Sequence, residues 1–384
     1  MDSLLIVSFS RLDQDARLRR QIALFADRYD VVTAGFGPGV PGAQRHIELP
    51  VPRGTGVRRR LRAYAEAVLL RVRAYRVMYA TDPMVRAARR ALRGERFDRV
   101  LANDIHTVPL ALGLASATRV HADLHEYYPG LHDDIPAWVR LRQPYFEWLL
   151  RSFATRVASV TTVGQGVADA YLDHGIVAAI VTNAPEFRDG TPSPVHTPIR
   201  LVHAGAALPS RRIERMMRAV AAARSDVVLT VHLTPNTPGY VTELRRLADE
   251  LGPRVRVEPP VPHAELIDRL SEHDVGIHVL PPDVTNQALS LPNKFFDFVQ
   301  ARLAIIVGPT PGMASLVDRY GLGAVARGFD VEDIERVVDS LDHDTVSTWK
   351  RAADAAAATL SAESQLPVWV DAVAALGGAG HPRD

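Results

Sequence analysis

A short run near residue 290 combines three features that suit a phosphorylated ligand. The run is Ser290–Phe298, with the sequence SLPNKFFDF. Pro292 stands where a first helical turn would begin, so the free amides of that turn would point toward an anion. Lys294 adds a positive charge there. Asp297 follows on roughly the same helical face, where its carboxylate could accept hydrogen bonds from two ribose hydroxyls.

A second candidate phosphate contact follows the predicted strand Ile199–Ala204. That strand leads into Gly205, which lets a ligand approach the backbone closely. Arg211 and Arg212 come next, just before a predicted helix, and such a pair can clamp a diphosphate. A turn glycine followed by two solvated arginines explains the same residues, so the sequence leaves both interpretations open.

Other patterns match known motifs by their letters only. Gly37–Gly42 fits GxGxxG, but an extended segment follows where a dinucleotide site needs a helix, so we expect a plain turn. Asp13–Asp15 and Asp342–Asp344 are DxD triplets; the first is expected to cap a helix and the second lies in a solvated stretch. His121 and His125 straddle a strand end and should not share a metal-binding face. We therefore predict no metal site.

Composition narrows the class of protein. The 384 residues are 47% hydrophobic and 23% charged, which is typical of a globular chain. Without cysteine there is no disulfide, thiolate nucleophile or cysteine-ligated metal. The first residues predict a buried strand and not a signal peptide, and no stretch approaches the ~20 apolar residues of a membrane span. We expect a cytoplasmic protein, with peripheral attachment to the inner face of the plasma membrane as an alternative.

Positive charge is concentrated in one region. Between Arg53 and Arg99 there are 14 arginines and four acids. Apolar residues recur there at spacings of three and four, which predicts an amphipathic helix over Arg58–Met78. A helix packed on its own sheet explains this pattern, and so does binding of Arg58–Arg76 to an anionic membrane, at ~1 kcal/mol per arginine. No nucleic-acid-binding fold accompanies the charge, so we predict no nucleic-acid partner. The apolar positions are Val57, Leu61, Tyr64, Val68, Val72 and Tyr75.

The architecture follows from alternation of short Val- and Ile-rich runs with longer helical patterns, as in parallel α/β proteins. A proline-rich segment, residues 184–198, predicts an exposed linker between two doubly wound domains. Ligands of such sheets bind at the carboxyl ends of the strands, and an interdomain cleft is the expected site. His203 and His278 lie inside strand patterns and are expected to be satisfied core histidines.

Several segments, in order along nearly the whole chain, resemble GT-B glycosyltransferases, particularly the retaining family 4 type. Ser290–Phe298, with the strand and loop after it, resembles their nucleotide-binding motif, and Gly205–Arg211 resembles their diphosphate loop. The matching segments of the first half are Leu4–Phe9 with Asp15–Arg17, Leu101–His106, Asp123–Tyr128 and Val181–Pro185.

The resemblance implies an α/β GT-B fold with two Rossmann-like domains, 1–190 and 197–362, facing an interdomain cleft. Residues 363–378 would form a C-terminal helix packing back on the first domain. The implied activity is hexosyltransferase-like (EC 2.4): transfer of a sugar, with retention, from a UDP- or GDP-sugar to a hydroxyl of a glycan, lipid-linked or small-molecule acceptor. Such an enzyme would serve glycan, cell-envelope or glycoconjugate synthesis. It would need no cofactor or metal, because basic residues and helix dipoles stabilise the leaving diphosphate.

The resemblance also implies roles for single residues. Arg211 and Lys294 would neutralise the diphosphate, and His125 would contact the donor sugar; these three are the predicted catalytic residues. The remaining predicted donor contacts are Gly205, Arg212, Asn293 and Asp297, the last holding the ribose. The predicted acceptor-side residues are Asp104, His106 and Glu126. From the residues alone, His106 could equally cap the next helix, and Glu126 could pair with an arginine.

One position departs from the family pattern. Leu289 stands eight residues before Asp297, where the family has a glutamate that touches the donor sugar. A catalytically silent sugar-nucleotide- or glycan-binding protein is therefore one alternative. A nucleotide-sugar 2-epimerase of the same fold is another; it would need carboxylates as proton shuttles, for which Asp104, Glu126 and Asp133 are the candidates.

Overall fold

The computed structural model describes residues 1–51 and 56–378, without the side chains of residues 58 and 59. The chain forms two compact units. The first comprises Met1–Val181, Val284–Asn286 and the chain from Gln365 onward, and the second comprises Thr182–Asp283 and Gln287–Ser364. No helix within the described ranges is long and apolar enough to cross a membrane.

Each unit contains one fully parallel sheet. The first sheet has the order β3-β2-β1-β4-β5-β6-β7 and the second has the order β10-β9-β8-β11-β12-β13. The strands of the first sheet are β1 Ser3–Arg11, β2 Asp30–Phe36, β3 Arg45–Glu48, β4 Arg99–Asn103, β5 Val120–Asp123, β6 Ser159–Thr162 and β7 Ala178–Ile180. Those of the second sheet are β8 Ile199–Ala207, β9 Val227–Pro235, β10 Val255–Glu258, β11 Val275–His278, β12 Ala304–Val307 and β13 Gly323–Val325.

Helices connect successive strands within each sheet, except that the Gly37–Gly42 turn, without a helix, joins the parallel strands β2 and β3. Those of the first half are α1 Ala16–Phe25, α2 Gly56–Arg71, α3 Tyr75–Thr81, α4 Pro83–Ala91, α5 Val108–Ala111, α6 Gln143–Ser152 and α7 Gln165–Leu172. Those of the second half are α8 Ile213–Ala222, α9 Tyr240–Leu251, α10 Leu266–Ser271, α11 Thr285–Leu289, α12 Asn293–Gln300, α13 Pro311–Tyr320, α14 Val331–Asp339, α15 His343–Ala357 and α16 Leu366–Ala374.

The central strands are apolar on both faces because helices cover both sides of each sheet. In the first sheet, Leu4–Val7 are fully buried, and in the second, Ala304–Val307 are fully buried. Phe295, Phe296 and Phe298 on α12 have no exposed surface, which confirms the prediction that they belong to the core. The doubly wound arrangement of two sheets is likewise confirmed.

Two local predictions are confirmed for the patterns that match known motifs only by their letters. Strand β3 follows the Gly37–Gly42 turn, so no helix opens there. Asp15 caps α1 and accepts hydrogen bonds from the amides of Arg17 and Leu18. Within the described ranges, no group of three or more histidines and acids is arranged to hold a metal ion.

The predicted helix over Arg58–Met78 is wrong as a single element. Helix α2 ends at Arg71 and α3 begins at Tyr75, and between them Arg73 adopts a left-handed backbone with φ +55°. A non-glycine residue in that region interrupts a right-handed helix. Arg53 lies outside the described residues, and so do the side chains of Arg58 and Arg59.

A buried ion pair fixes the centre of the first sheet. Arg17 on α1 donates to both carboxylate oxygens of Asp123 at the end of β5, at 2.6 and 2.7 Å. Gln21 and Thr161 also donate to that carboxylate, and the guanidinium of Arg17 lies 4.6 Å from the ring centre of Trp369 on α16. Burial alone would raise the pKa of Asp123, but Arg17 holds it down to about 2.

Removing one member of this pair should strongly destabilise the first unit. We expect Arg17→Met to lower the free energy of unfolding by ~3–5 kcal/mol, because it leaves a buried carboxylate unpaired. Arg17→Met combined with Asp123→Leu should recover part of that loss. Urea unfolding followed by circular dichroism measures both.

The exposed pair Arg45–Glu95 supplies the matched control. Arg45→Met should cost under about 1 kcal/mol, since a solvated pair contributes little. Equal losses in Arg17→Met and Arg45→Met would contradict the importance of the buried pair.

Candidate functional site

The loop after β8 brings its backbone against two cationic side chains. A Cβ atom added at Gly205 would stand 2.9 Å from Lys294 Nζ and 3.4 Å from Arg211 Nη1. Any side chain at position 205 would therefore push the lysine amine away. Glycine at this position lets the Lys294 amine and the Arg211 guanidinium lie close to the backbone. That a ligand approaches the backbone at Gly205 stays a prediction.

Arg211 and Lys294 form a cationic pair without an acidic partner. Within the part of the chain that the structure describes, neither side chain makes a salt bridge. Burial lowers the pKa of Arg211, and burial together with the charge of Arg211 lowers the pKa of Lys294 to about 8. The other lysine, Lys350, differs because its Nζ lies 3.1 Å from the buried carboxylate of Asp274. Two half-buried cations left unpaired make a site for an anion.

The two cations line a cavity of about 120 Å³ at the carboxyl edge of the second sheet. Two helices begin at this cavity: α12, after Pro292, and α13, after Thr310. Neither preceding residue caps its helix with a side-chain hydrogen bond, so the first amides of both helices lack that partner. Pro292 therefore stands where the sequence predicted, directly before the first turn.

Asp297 lies one turn after Lys294 on α12 and is 6% exposed. Burial raises its pKa to about 6, and Lys294 opposes that shift. Its carboxylate makes no hydrogen bond with any residue in the described ranges, so it is available as an acceptor. The assignment of Asp297 to a ribose stays a prediction.

Two predicted donor contacts stand apart from the cavity. Arg212 is exposed and adopts φ +50° at the start of α8, and Asn293 is exposed at the first position of α12. Neither belongs to the described residues that line the cavity. Their predicted roles remain untested by this geometry.

The expectation that His203 and His278 are satisfied core histidines is wrong for one nitrogen of each. Both rings are buried and stacked, with centroids 5.7 Å apart. His203 Nδ1 donates to the carbonyl of Ile277 at 2.9 Å, but His203 Nε2 and His278 Nδ1 are buried without a partner among the described residues. Burial, reinforced by Lys294, lowers the pKa of both histidines, that of His203 to about 3. Sequence periodicity gives the burial of a residue but not the partners of its side chain.

In the first unit, the loops after β4 and β5 bring Asp104 and His125 together. These strands are neighbours in the sheet, and the amide of Asp104 donates to the carbonyl of Asp123 at 2.9 Å. His125 Nε2 lies 3.3 Å from Asp104 Oδ2. Burial raises the pKa of Asp104 to about 6 against the opposing effect of His125, and Asp104 adopts a left-handed φ of +66°. A carboxyl group with such a pKa can exchange a proton near neutral pH.

His106 packs edge-on against two aromatic rings, with centroids 5.0 Å from Tyr128 and 5.4 Å from Phe146. Burial lowers its pKa to about 4, so it is neutral at pH 7. The residue directly before α5 is Thr107, so the alternative that His106 caps this helix is not supported.

Glu126 has an amide as its partner where the sequence suggested an arginine. The side-chain amide of Asn286, one of the three residues 284–286 grouped with the first unit, donates to the Glu126 carboxylate. Asn286 Oδ1 in turn accepts from the amide of Tyr127 at 2.8 Å. Sequence analysis missed this contact because the two segments are 160 positions apart.

Comparison with known proteins gives matches of structure only. No model of a known protein family matches the chain, and no curated protein does. The Anabaena protein HepE, solved in complex with UDP-glucose, matches with a TM-score of 0.70 and 13% identity over 98% of this chain and 100% of that one. Sucrose-phosphate synthase from Thermosynechococcus elongatus matches with a TM-score of 0.69 and 14% identity over 97% and 98%. WaaG, a glycosyltransferase involved in lipopolysaccharide biosynthesis, matches with a TM-score of 0.63 and 13% identity over 98% and 100%.

The chain has the GT-B fold. The likeness covers both units, and the predicted GT-B fold is thereby confirmed. At 13–14% identity these similarities establish the fold alone. In this GT-B chain, the unpaired cations lie at the carboxyl edge of the second sheet, where parallel sheets bind their ligands.

The pKa of Lys294 can be measured directly because the chain has only two lysines. We expect NMR of lysine-labelled protein to show two signals, with Lys294, assigned by its loss in Lys294→Arg, titrating near pH 8. Arg211→Met should raise that pKa, since it removes a neighbouring like charge. A pKa of Lys294 near its ordinary 10.5 in the unaltered protein would contradict the described site.

Proposed function

We propose that this protein is a glycosyltransferase that moves a sugar from a nucleoside-diphosphate donor to an acceptor hydroxyl. The observation that carries the proposal is that Arg211 and Lys294, two cations without a salt-bridge partner in the described ranges, line a cavity of about 120 Å³. The GT-B fold supports it. UDP is the first nucleotide to test, because HepE was solved with UDP-glucose, and GDP is the second.

The chemistry of the second unit suits a diphosphate leaving group. As the bond between the sugar and the diphosphate breaks, negative charge grows on the phosphate oxygens. Fixed cations and helix amides that already face that position stabilise the charge without having to reorganise. Arg211, Lys294 and the start of α12 supply these groups. Asp297, ionised above pH 6, accepts hydrogen bonds from the ribose hydroxyls.

The first unit supplies the acceptor side. Asp104, Glu126 and neutral His106 offer hydrogen-bonding groups to the hydroxyl that attacks. His125, 3.3 Å from Asp104, contacts the donor sugar. We favour retention of configuration, with the departing phosphate taking the proton of the acceptor hydroxyl. In that mechanism Asp104 and His125 orient groups and no carboxylate pair is needed.

A surface of the first unit supports a membrane-bound acceptor. Five of the six apolar residues predicted to line one side of the arginine-rich helix do not pack on the sheet, because their side chains are 41–72% exposed. Arg60, Arg71, Arg73 and Arg76 lie along the same stretch, and Arg142 Nη2 contacts Glu66 at 3.5 Å. That contact joins α2 to a neighbouring segment whose Ile135 and Val139 are also exposed. The stripe is Val57, Leu61, Tyr64, Val68 and Val72.

This surface, which we call the α2 face, fits an anionic lipid bilayer. An apolar stripe flanked by arginines inserts into the boundary between headgroups and acyl chains, while the arginines bind lipid phosphates. Of the predicted stripe only Tyr75 is buried. The protein then acts at the inner face of the plasma membrane on a lipid-linked acceptor.

Nucleotide binding tests the proposed activity. Thermal unfolding is measured without metal, with UDP, GDP, ADP and TDP and their sugar conjugates. A ligand at ~100 times its dissociation constant stabilises the protein by ~2.7 kcal/mol, a measurable shift. We expect one nucleotide to stand out, and Lys294→Ala and Asp297→Ala each to weaken it without lowering the unfolding temperature of the free protein.

Asp330→Ala, at an exposed acid of the same unit, is the control and should bind normally. Failure of every nucleotide diphosphate to shift the transition would contradict the proposal. Binding without release of nucleotide diphosphate from any sugar conjugate, over a panel of acceptors, would favour the silent binding protein.

Membrane binding is tested by sedimentation with vesicles. We expect binding to phosphatidylglycerol vesicles and not to phosphatidylcholine vesicles, with Leu61→Gln and Tyr64→Gln each weakening it about tenfold through lost apolar contact. Leu172→Gln and Val177→Gln remove equally exposed apolar side chains of the first unit outside the α2 face. Equal effects of both sets, or equal binding to both lipids, would argue against the α2 face.

A further inference from the structure

The cavity beside Lys294 has a second, uncharged wall. His278 ends β11 and is 7% exposed, and Thr310 precedes α13 and is 4% exposed. Both residues line the cavity together with Arg211 and Lys294. His278 Nδ1 and Thr310 Oγ1 are buried, and neither has a hydrogen-bond partner in the described ranges. Buried polar groups without a partner are rare in folded proteins, because each costs its desolvation free energy.

The backbone hydrogen bonds connect the segments that carry these two residues. Strands β11 and β12 pair in parallel, with His278 opposite Val307. The amide of Gly308 donates to the carbonyl of His278 at 3.3 Å, and the amide of Thr310 donates to the carbonyl of Gly308 at 2.8 Å. His278 is the last residue of β11, and Thr310 lies in the short turn that joins β12 to α13.

The surroundings of His278 keep its ring neutral. The titratable and charged groups around it are His203 on β8, Lys294 on α12 and Arg211 before α8, and no acid opposes them. Burial is the largest cause of the lowered pKa of His278, and the charges of these neighbours lower it further. A neutral imidazole can donate one N–H group to an anion without adding to the repulsion between the two cations.

We propose that His278, through Nδ1–H, and Thr310, through its hydroxyl, donate hydrogen bonds to phosphate oxygens of the ligand whose charge Arg211 and Lys294 neutralise. This rests on the proposed function, of which it specifies two further binding residues. His203 is a positioning residue: its ring stacks on His278, and its Nδ1 is anchored to the carbonyl of Ile277. Thr310, by turning its hydroxyl to the ligand, leaves the first amides of α13 free for the same anion.

Calorimetric titration with inorganic pyrophosphate and with UDP tests the proposal. His278→Phe keeps a ring against His203 but has no N–H group, and Thr310→Val keeps the shape of threonine without its hydroxyl. We expect each substitution to lower the affinity for both ligands about tenfold or more, because a hydrogen bond to a charged group is lost. His278→Asn, whose amide nitrogen can stand at the place of Nδ1, and Thr310→Ser should stay within about threefold of the unaltered protein.

His232→Phe is the matched control. His232 on β9 is also 7% exposed with one buried unpartnered ring nitrogen, but it does not belong to the residues described as lining this cavity. It should bind pyrophosphate normally. If His278→Phe folds poorly, comparing the affinities of Thr310→Val and Thr310→Ser still tests whether the hydroxyl binds the ligand. Comparing His278→Asn with His278→Gln tests where the N–H donor must stand, since glutamine places its amide farther from the backbone.

The outcomes separate this inference from the proposed function. Loss of affinity in Lys294→Met but not in His278→Phe or Thr310→Val overturns the inference and leaves the function standing. Binding of pyrophosphate that depends on His278 and Thr310, with no binding of any nucleoside diphosphate, overturns the function and supports the inference. Binding of neither ligand by the unaltered protein overturns both.

Discussion

Repulsion between Arg211 and Lys294 is the constraint around which the second unit is arranged. Two half-buried cations stand beside one glycine, and neither makes a salt bridge with an acid in the described ranges. Asp297, one turn away on α12, only partly opposes the fall in the pKa of Lys294. Lys294 loses affinity for its proton, and the two histidines behind it remain neutral. All of these pKa values are lowered, and a nearby anion raises the pKa of a basic group. A bound diphosphate would therefore oppose all of these shifts together.

The first unit contains two carboxyl groups whose surroundings have opposite effects on their pKa values. Asp104 and Asp123 follow and end neighbouring strands, and both are enclosed. Asp123 receives Arg17, Gln21 and Thr161 and stays ionised with a pKa of about 2, whereas burial raises the pKa of Asp104 to about 6 although His125 lies beside it. Environments that separate the pKa values of two carboxyl groups assign them different work. Asp123 stabilises the sheet, and Asp104 lacks a comparable set of donors that would hold it in its ionised form.

The sequence predicted what depends on local spacing. The predicted strand Ile199–Ala204 is present within β8, because buried parallel strands carry continuous apolar runs, and Pro292, Lys294 and Asp297 occupy the start of α12 as expected. The three-residue strands β7 and β13 were missed, being too short for a periodic pattern. The α2 stripe was found, but not which way it faces, since periodicity defines a side of a helix and not its neighbour. The orphaned nitrogen of His278 depends on tertiary partners, which no local pattern contains.

The departure at Leu289 fits this electrostatic arrangement. A glutamate at that position, the last residue of α11, would add a negative charge close in sequence to Gln287 and Ser290, which line the cavity. With leucine there, every hydrogen-bonding side chain in the described cavity lining is neutral or positive. The carboxylate of α12, Asp297, lies one turn after Lys294 and does not belong to that lining. A site of this kind discriminates by charge. The affinity should therefore rise from a nucleoside to its monophosphate and again to its diphosphate, because each added phosphate brings more charge and more oxygens to the two cations and the two neutral donors.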